Sequence, residues 1–154
     1  MRLVRALLFF KLGFWAGTFA AAALMKRVLR SRGDAESDEV ALVAIFDGIE
    51  LESRSTAFRG GSMLSWFGGI AVDLRSAKLA PEARLTVHTL WGGIAIRVPP
   101  EWRVESSARA LVGGVAIDAP RTEDPEAPRL VIDGFALLGG IAVGAKAADT
   151  EPAS

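Results

Sequence analysis

The phrase WFGGIAVDL at residues 66 to 74 returns as LWGGIAIRV from residue 90, LVGGVAIDA from 111 and LLGGIAVGA from 137, with a shorter relative, FDGIELE, from 46. Aligned on the residue after the glycines, Ile49, Ile70, Ile94, Val115 and Ile141 are separated by 21, 24, 21 and 26 residues. A unit this short cannot bury its own apolar face, so successive units must stack on one another. Each phrase alternates apolar and small or polar residues, the period of a strand, and from Val40 onward no stretch of ten residues carries a convincing helical period. The expectation is an all-β fold over residues 40 to 143: a single-stranded, right-handed β-solenoid of about five short coils, each strand pairing with its counterpart in the next coil.

Glycine suits the corner of such a coil because it tolerates positive φ and close backbone approach. Gly48 and the pairs Gly68 and Gly69, Gly92 and Gly93, Gly113 and Gly114, and Gly139 and Gly140 are the predicted structural turns. The alternation then sends Ile70, Val72 and Leu74 inward with Ile94, Ile96, Val98, Val115, Ile117, Ile141 and Val143. If coils stack in sequence order, one outward column holds Ala71, Ala95, Ala116 and Ala142. The next holds Glu52, Asp73, Arg97 and Asp118, with Arg97 between two carboxylates at the strand spacing of ~4.8 Å.

Two readings fit these outward columns. Small residues tolerate crowding beside a corner, and outward acids solvate a surface. Alternatively Ala71, Ala95 and Ala116, with Asp73, Arg97 and Asp118, form a smooth strip on which a strand or helix of another protein lies. The aromatics before the glycines raise a parallel choice. Phe46, Phe67 and Trp91 share one column, and Trp66 shares another with Leu90, Leu111 and Leu137; one column is expected in the core and the other as an exposed apolar ridge.

The formal net charge of zero hides an asymmetry, since residues 1 to 32 hold seven of the 18 basic residues and none of the 18 acids. An acidic main domain offers no electrostatic reason to bind nucleic acid, which is held by cations against phosphates. Residues 1 to 5 are a basic N-terminus, followed by ALLFFKLGFWAGTFAAAALM over 6 to 25, then the charged linker of 26 to 39. Twenty helical residues rise about 30 Å, the thickness of the hydrocarbon core, so a transmembrane helix over 6 to 25 is expected, with Lys11 snorkelling to the headgroups. A cleaved signal peptide, favoured by the small residues of TFAAAA, and an interfacial helix are the rival readings. Arg2 and Arg5 before the span against Lys26, Arg27, Arg30 and Arg32 after it lean towards a single-pass protein of the cell membrane with a cytoplasmic C-terminal domain. Gly13, Gly17 and Ala21 at four-residue spacing could let two spans approach, one route to a homo-oligomer. From 144 to 154 a disordered tail is expected.

No reactive constellation is evident. His88 falls on an outward position, the carboxylates are spread along outer faces, there is no cysteine, and the glycine pairs precede strands rather than the helix a phosphate loop requires. The expectation is a protein that is not an enzyme and takes no cofactor or metal.

Residues 66 to 118 carry a further signal: a glycine-led strand ending in DLRSAKL, the intervening strand RLTVHTL, and GGIAIRVPPEW followed by another glycine-led strand. In that order these elements resemble the C-terminal β-solenoid domain of the LiaF-type cell-wall-active antibiotic response proteins, related to modules that accompany phage-shock membrane proteins. The resemblance implies a bacterial envelope-stress protein whose solenoid docks on a partner such as a membrane sensor kinase. This chain departs from that pattern in having one expected span rather than several, and Gly-Gly where a charged residue more often follows the glycine. The functional expectation is a membrane-anchored interaction module. The alternative is a structural scaffold, in which apolar end coils stack end to end into filaments.

Overall fold

The computed structural model describes residues 31–119 and 122–145, with isolated positions 16, 20, 21, 23 and 24. The chain divides into two units, Met1–Arg30 and Ser31–Ser154. Apart from those five positions, the helix expected over 6 to 25 lies outside the described residues. Among the described residues, no helix is long and apolar enough to cross a membrane.

The second unit is one parallel sheet of seven strands: β1 (Glu39–Ile45), β2 (Gly48–Glu52), β3 (Phe58–Asp73), β4 (Leu79–Arg97), β5 (Arg103–Ser106), β6 (Arg109–Asp118) and β7 (Arg129–Gly144). β1 and β2 lie end to end along one edge of β3, while β5 and β6 lie end to end along one edge of β7. The seven strands therefore make five passes of the chain, stacked in a solenoid-like parallel sheet.

Their order departs from the sequence. The expected alignment of Ile49, Ile70 and Ile94 holds, but Ile94 pairs next with Ile141, and Val115 lies beyond it. The last pass is inserted between the third and the fourth. Burial accounts for the swap. The inward residues of β7, Leu130, Ile132, Ala136, Ile141 and Val143, are all buried between the β4 pass and the β5–β6 pass, whereas Val115 and Ile117 on β6 are not. The β5–β6 pass is interrupted at Ser107–Ala108, and the β1–β2 pass at Phe46–Asp47; both interrupted passes sit at the edges, where a strand has only one neighbour to match. The ten residues between β6 and β7 give the chain length to step back.

The core follows the predicted alternation. Ile70, Val72, Leu74, Ile94, Ile96, Val98, Ile141 and Val143 are buried, joined by Phe58 from the start of β3 and Trp102 from the connection between β4 and β5. Val115 and Ile117 face the same way but lie on the terminal pass, so Val115 is only half-buried and Ile117 is 40% exposed. Pro99 and Pro100 follow the end of β4, as residues without an N–H must.

Both boundaries of the sheet move outward from the expected 40 and 143. Gly144 belongs to β7, and its carbonyl accepts from the Val98 N–H at 2.9 Å. Residues 31–38, expected as part of a solvated linker, are tied to the sheet: Ser31 and Arg32 bond to the outer edge of β1, and the Ala35 and Asp38 carbonyls accept from the Arg54 and Arg59 N–H groups. The Arg32 N–H donates to the Ala41 carbonyl at 2.6 Å, the Ala41 N–H donates back at 2.8 Å, and the Val43 N–H donates to Ser31 Oγ at 2.9 Å.

Candidate interaction surface

The two glycines of each pair have different jobs. At the first, Gly68, Gly92, Gly139 and Gly113, a Cβ would lie 2.2, 1.9, 1.9 and 1.8 Å from a backbone oxygen of the neighbouring pass. Only glycine lets the backbones stack that closely. At the second, Gly69, Gly93 and Gly140 would place a Cβ no nearer than 3.4 Å to any heavy atom, and Gly48 and Gly114 would meet nothing within 4 Å. None of these second glycines has positive φ. Alanine would fit there and would favour an ordered strand by roughly 0.5–1 kcal/mol.

Their effect is on the outer surface. Together with Ala71, Ala95, Ala142 and Ala116 they floor a shallow apolar groove of about 660 Å³ that runs across all five passes. The alanine column is real, but its spatial order is Glu50, Ala71, Ala95, Ala142, Ala116.

An apolar ridge lies at the corner just before the glycines. The rings of Phe46 and Phe67 stack with centroids 5.0 Å apart, and those of Phe67 and Trp91 with centroids 5.5 Å apart. Trp91 is followed on the next passes by Leu138 and Val112, and all five lie at the surface, Trp91 with 56% of its area exposed. Phe46 and Phe67 adopt φ of 52° and 55°. That conformation costs a side-chain-bearing residue about 1–2 kcal/mol, and for a bulky one it is a true outlier. The second column, Trp66, Leu90, Leu111 and Leu137, is not in the core either, contrary to the expectation that one column would be. Leu90 is 39% and Leu111 68% exposed. The reason is that the inward set changes parity across the corner of each pass, from Thr89 to Ile94 on β4 and from Ala136 to Ile141 on β7, which leaves the residues just before the glycines out of the core.

On the far side of the alanine column stand the charges, again in a corrected order: Glu52, Asp73, Arg97, Gly144, Asp118. Arg97 neighbours Asp73, with Nη1 4.0 Å from Oδ2, but the inserted pass puts Gly144 between it and Asp118. The stronger partner of Asp73 is Arg75, whose Nη2 lies 2.5 Å from Oδ2 and whose Nε lies 2.9 Å from Oδ1. The Arg75 backbone N–H also donates to Oδ1 at 3.0 Å, the side-chain-to-backbone turn that Asp favours at the end of a strand. Hydrogen bonding from Arg75, with Arg97 beyond it, holds the Asp73 carboxyl below its ordinary range and raises Arg75 in turn. The sequence DLRSAKL contained this turn, with Asp two residues before Arg.

His88 is exposed on β4, and among the described residues no three His, Cys, Asp or Glu side chains converge as a metal site would need. The surface can present apolar area, a flat floor and a charged margin, which is the chemistry of contact.

No family model matches the chain, and no curated protein matches it. Among solved structures, it is similar to the crystal structure of a putative cell adhesion protein from Clostridium sporogenes, at 11% identity and a TM-score of 0.43, over 62% of this chain and 57% of that one. The chain thus spans little more than half the length of that protein.

Proposed function

We propose that this chain is a membrane-anchored, non-catalytic interaction module of the bacterial envelope stress response, docking on a sensor or regulator protein. In this reading residues 6 to 25 cross the cell membrane once and the β domain lies on the cytoplasmic side. The five passes form a single-stranded β-solenoid, right-handed for the three connections that step forward along the stack, the hand that parallel crossovers favour. The observation that carries the reading is the stacked ridge of Phe46, Phe67 and Trp91, its two outer members exposed and Phe67 half-buried between them, with Phe46 and Phe67 in a costly backbone conformation. Strain of that kind at a surface supports a use for the surface, and aromatic side chains beside a flat apolar groove are what protein interfaces concentrate at their centres. The envelope-stress context rests on the sequence resemblance.

Proximity labelling in cells from the full chain, set against a Phe67→Ala, Trp91→Ala variant, tests the proposal. A membrane sensor or regulator should be labelled by the parent and lost in the variant at equal membrane abundance. Equal labelling by both, or no such component, overturns it. A reporter fused at Ser154 that is active only outside the cytoplasm overturns the orientation.

The scaffold reading keeps one observation in its favour, the uncovered apolar edge of β6.

A further inference from the structure

From the outer edge of β6 we infer that the β domain pairs with a second copy of itself, β6 against β6 in antiparallel register, as a closed two-fold dimer. Three observations on that strand point the same way.

The first is that the edge is open. β6 pairs only with β7, and no described residue bonds to its other side. On the other passes, inward-facing residues donate their N–H groups towards the β6 end: Ser53 to Asp73, Leu74 to Arg97 and Val98 to Gly144, at 2.8 to 2.9 Å. By the same alternation Val115 and Ile117 direct their N–H and C=O groups out of the end of the sheet, a template for another strand.

The second is that the strand is complementary to its own reverse. RALVGGVAID laid antiparallel on a second copy sets Arg109 against Asp118, Ala110 against Ile117, Leu111 against Ala116, Val112 against Val115 and Gly113 against Gly114. Opposite charges meet at both ends, and a large side chain meets a small one twice. The faces match as well. Ala110 pairs with the buried Ala136 and so faces inward, as Ile117 does, while Arg109 and Asp118 are both exposed. The inward positions are even before the glycine pair and odd after it. A two-fold axis through the Gly113–Gly114 corner therefore exchanges the two legs of the strand without turning either inside out. An isologous contact of this kind needs one surface that is its own complement.

The third is the opposite end. Head-to-tail stacking would require the β6 edge to meet the β1–β2 edge. Ser31 and Arg32 already bond to Val43 and Ala41 of β1, and β2 presents Glu50 and Glu52 as exposed charges, which discourage pairing. Growth thus stops at two copies.

The test uses the full chain in detergent micelles, with mass measured by light scattering across micromolar concentrations. Arg109→Asp and Asp118→Arg each set like charges together twice per dimer and should weaken pairing roughly ten-fold. The mixture of the two single variants restores both ion pairs and should pair as tightly as the parent, as should the double variant. A monomeric parent overturns the proposal, and so does a dimer that none of the charge changes weakens, which would belong to residues 6 to 25. Failure of the mixture to recover, or pairing only after residues 146 to 154 are removed, also overturns it, the latter assigning the edge to the chain's own tail.

Discussion

The two ends of this sheet are built from the same repeat and finished differently. At the β1 end, the preceding segment folds back: Arg32 and Ala41 exchange backbone hydrogen bonds, and Ser31 Oγ takes the Val43 N–H. Inward residues there, Val40, Leu42 and Ala44, are as buried as those in the middle of the stack. At the β6 end the inward Ile117 is 40% exposed and the aliphatics beside the corner more so. Edge strands are a hazard that proteins cover, charge or use. Here one end is covered and charged, so its bare counterpart reads as a surface kept for contact rather than as an oversight.

The largest expected effect compares one inward residue from each terminal pass. Leu42 is 3% exposed, and Leu42→Ala should cost about 2–4 kcal/mol in denaturant unfolding, as for a core cavity. Ile117→Ala, measured in the Arg109→Asp background so that pairing does not contribute, should cost about 1 kcal/mol or less, since much of that side chain is already in water. Equal costs would show that the β6 end is covered in solution and would break the comparison.

A smaller effect probes the cover itself. Arg32→Pro removes the N–H that donates to Ala41 at 2.6 Å and should cost about 0.5–1.5 kcal/mol locally. Hydrogen exchange at the Ala41 amide should then quicken up to about ten-fold, because local opening sets that rate. If the cover is what limits growth, the same variant should also form species larger than a dimer. Unchanged exchange would mean that residues 31–38 do not protect the edge.

Much of the coil was legible in the chain and its closing step was not. A period of two with glycine pairs fixed which residues face inward and which passes share a register, because alternation and burial are local properties. The place of β7 is not local. It depends on which pass can tolerate an open flank, a competition between Ile141 with Val143 and Val115 with Ile117 that similar aliphatics nearly conceal. The cues were the Ser-Ser dipeptide at 106–107, where β5 ends, and the 26-residue spacing before Ile141. Sequence-order stacking therefore misplaced Asp118, whose column neighbour is Gly144. The corner aromatics were half legible: stacking of Phe46, Phe67 and Trp91 followed from the alignment, but the change of inward parity across the corner, which also leaves Leu90 and Leu111 outside the core, has no sequence signature of its own.

The smallest expected effect concerns the charged margin, where the two ends again differ, because Asp73 near the β1 end is paired with Arg75 and Arg97, while the ladder partner of Asp118 on β6 is Gly144. Hydrogen bonds from Arg75 lower the folded-state pKa of Asp73 below its ordinary 3.8. A carboxylate whose pKa is lower folded than unfolded binds more protons when unfolded, so its contribution is complete above the unfolded value and fades as pH falls through the folded one. Asp73→Asn should therefore leave a shallower fall in stability below about pH 4 than the parent shows, with a change at neutral pH smaller than either substitution above. An acid limb as steep in Asp73→Asn as in the parent would show that the Arg75 hydrogen bonds add nothing to stability in solution, and would remove the charged margin from the contrast between the two ends.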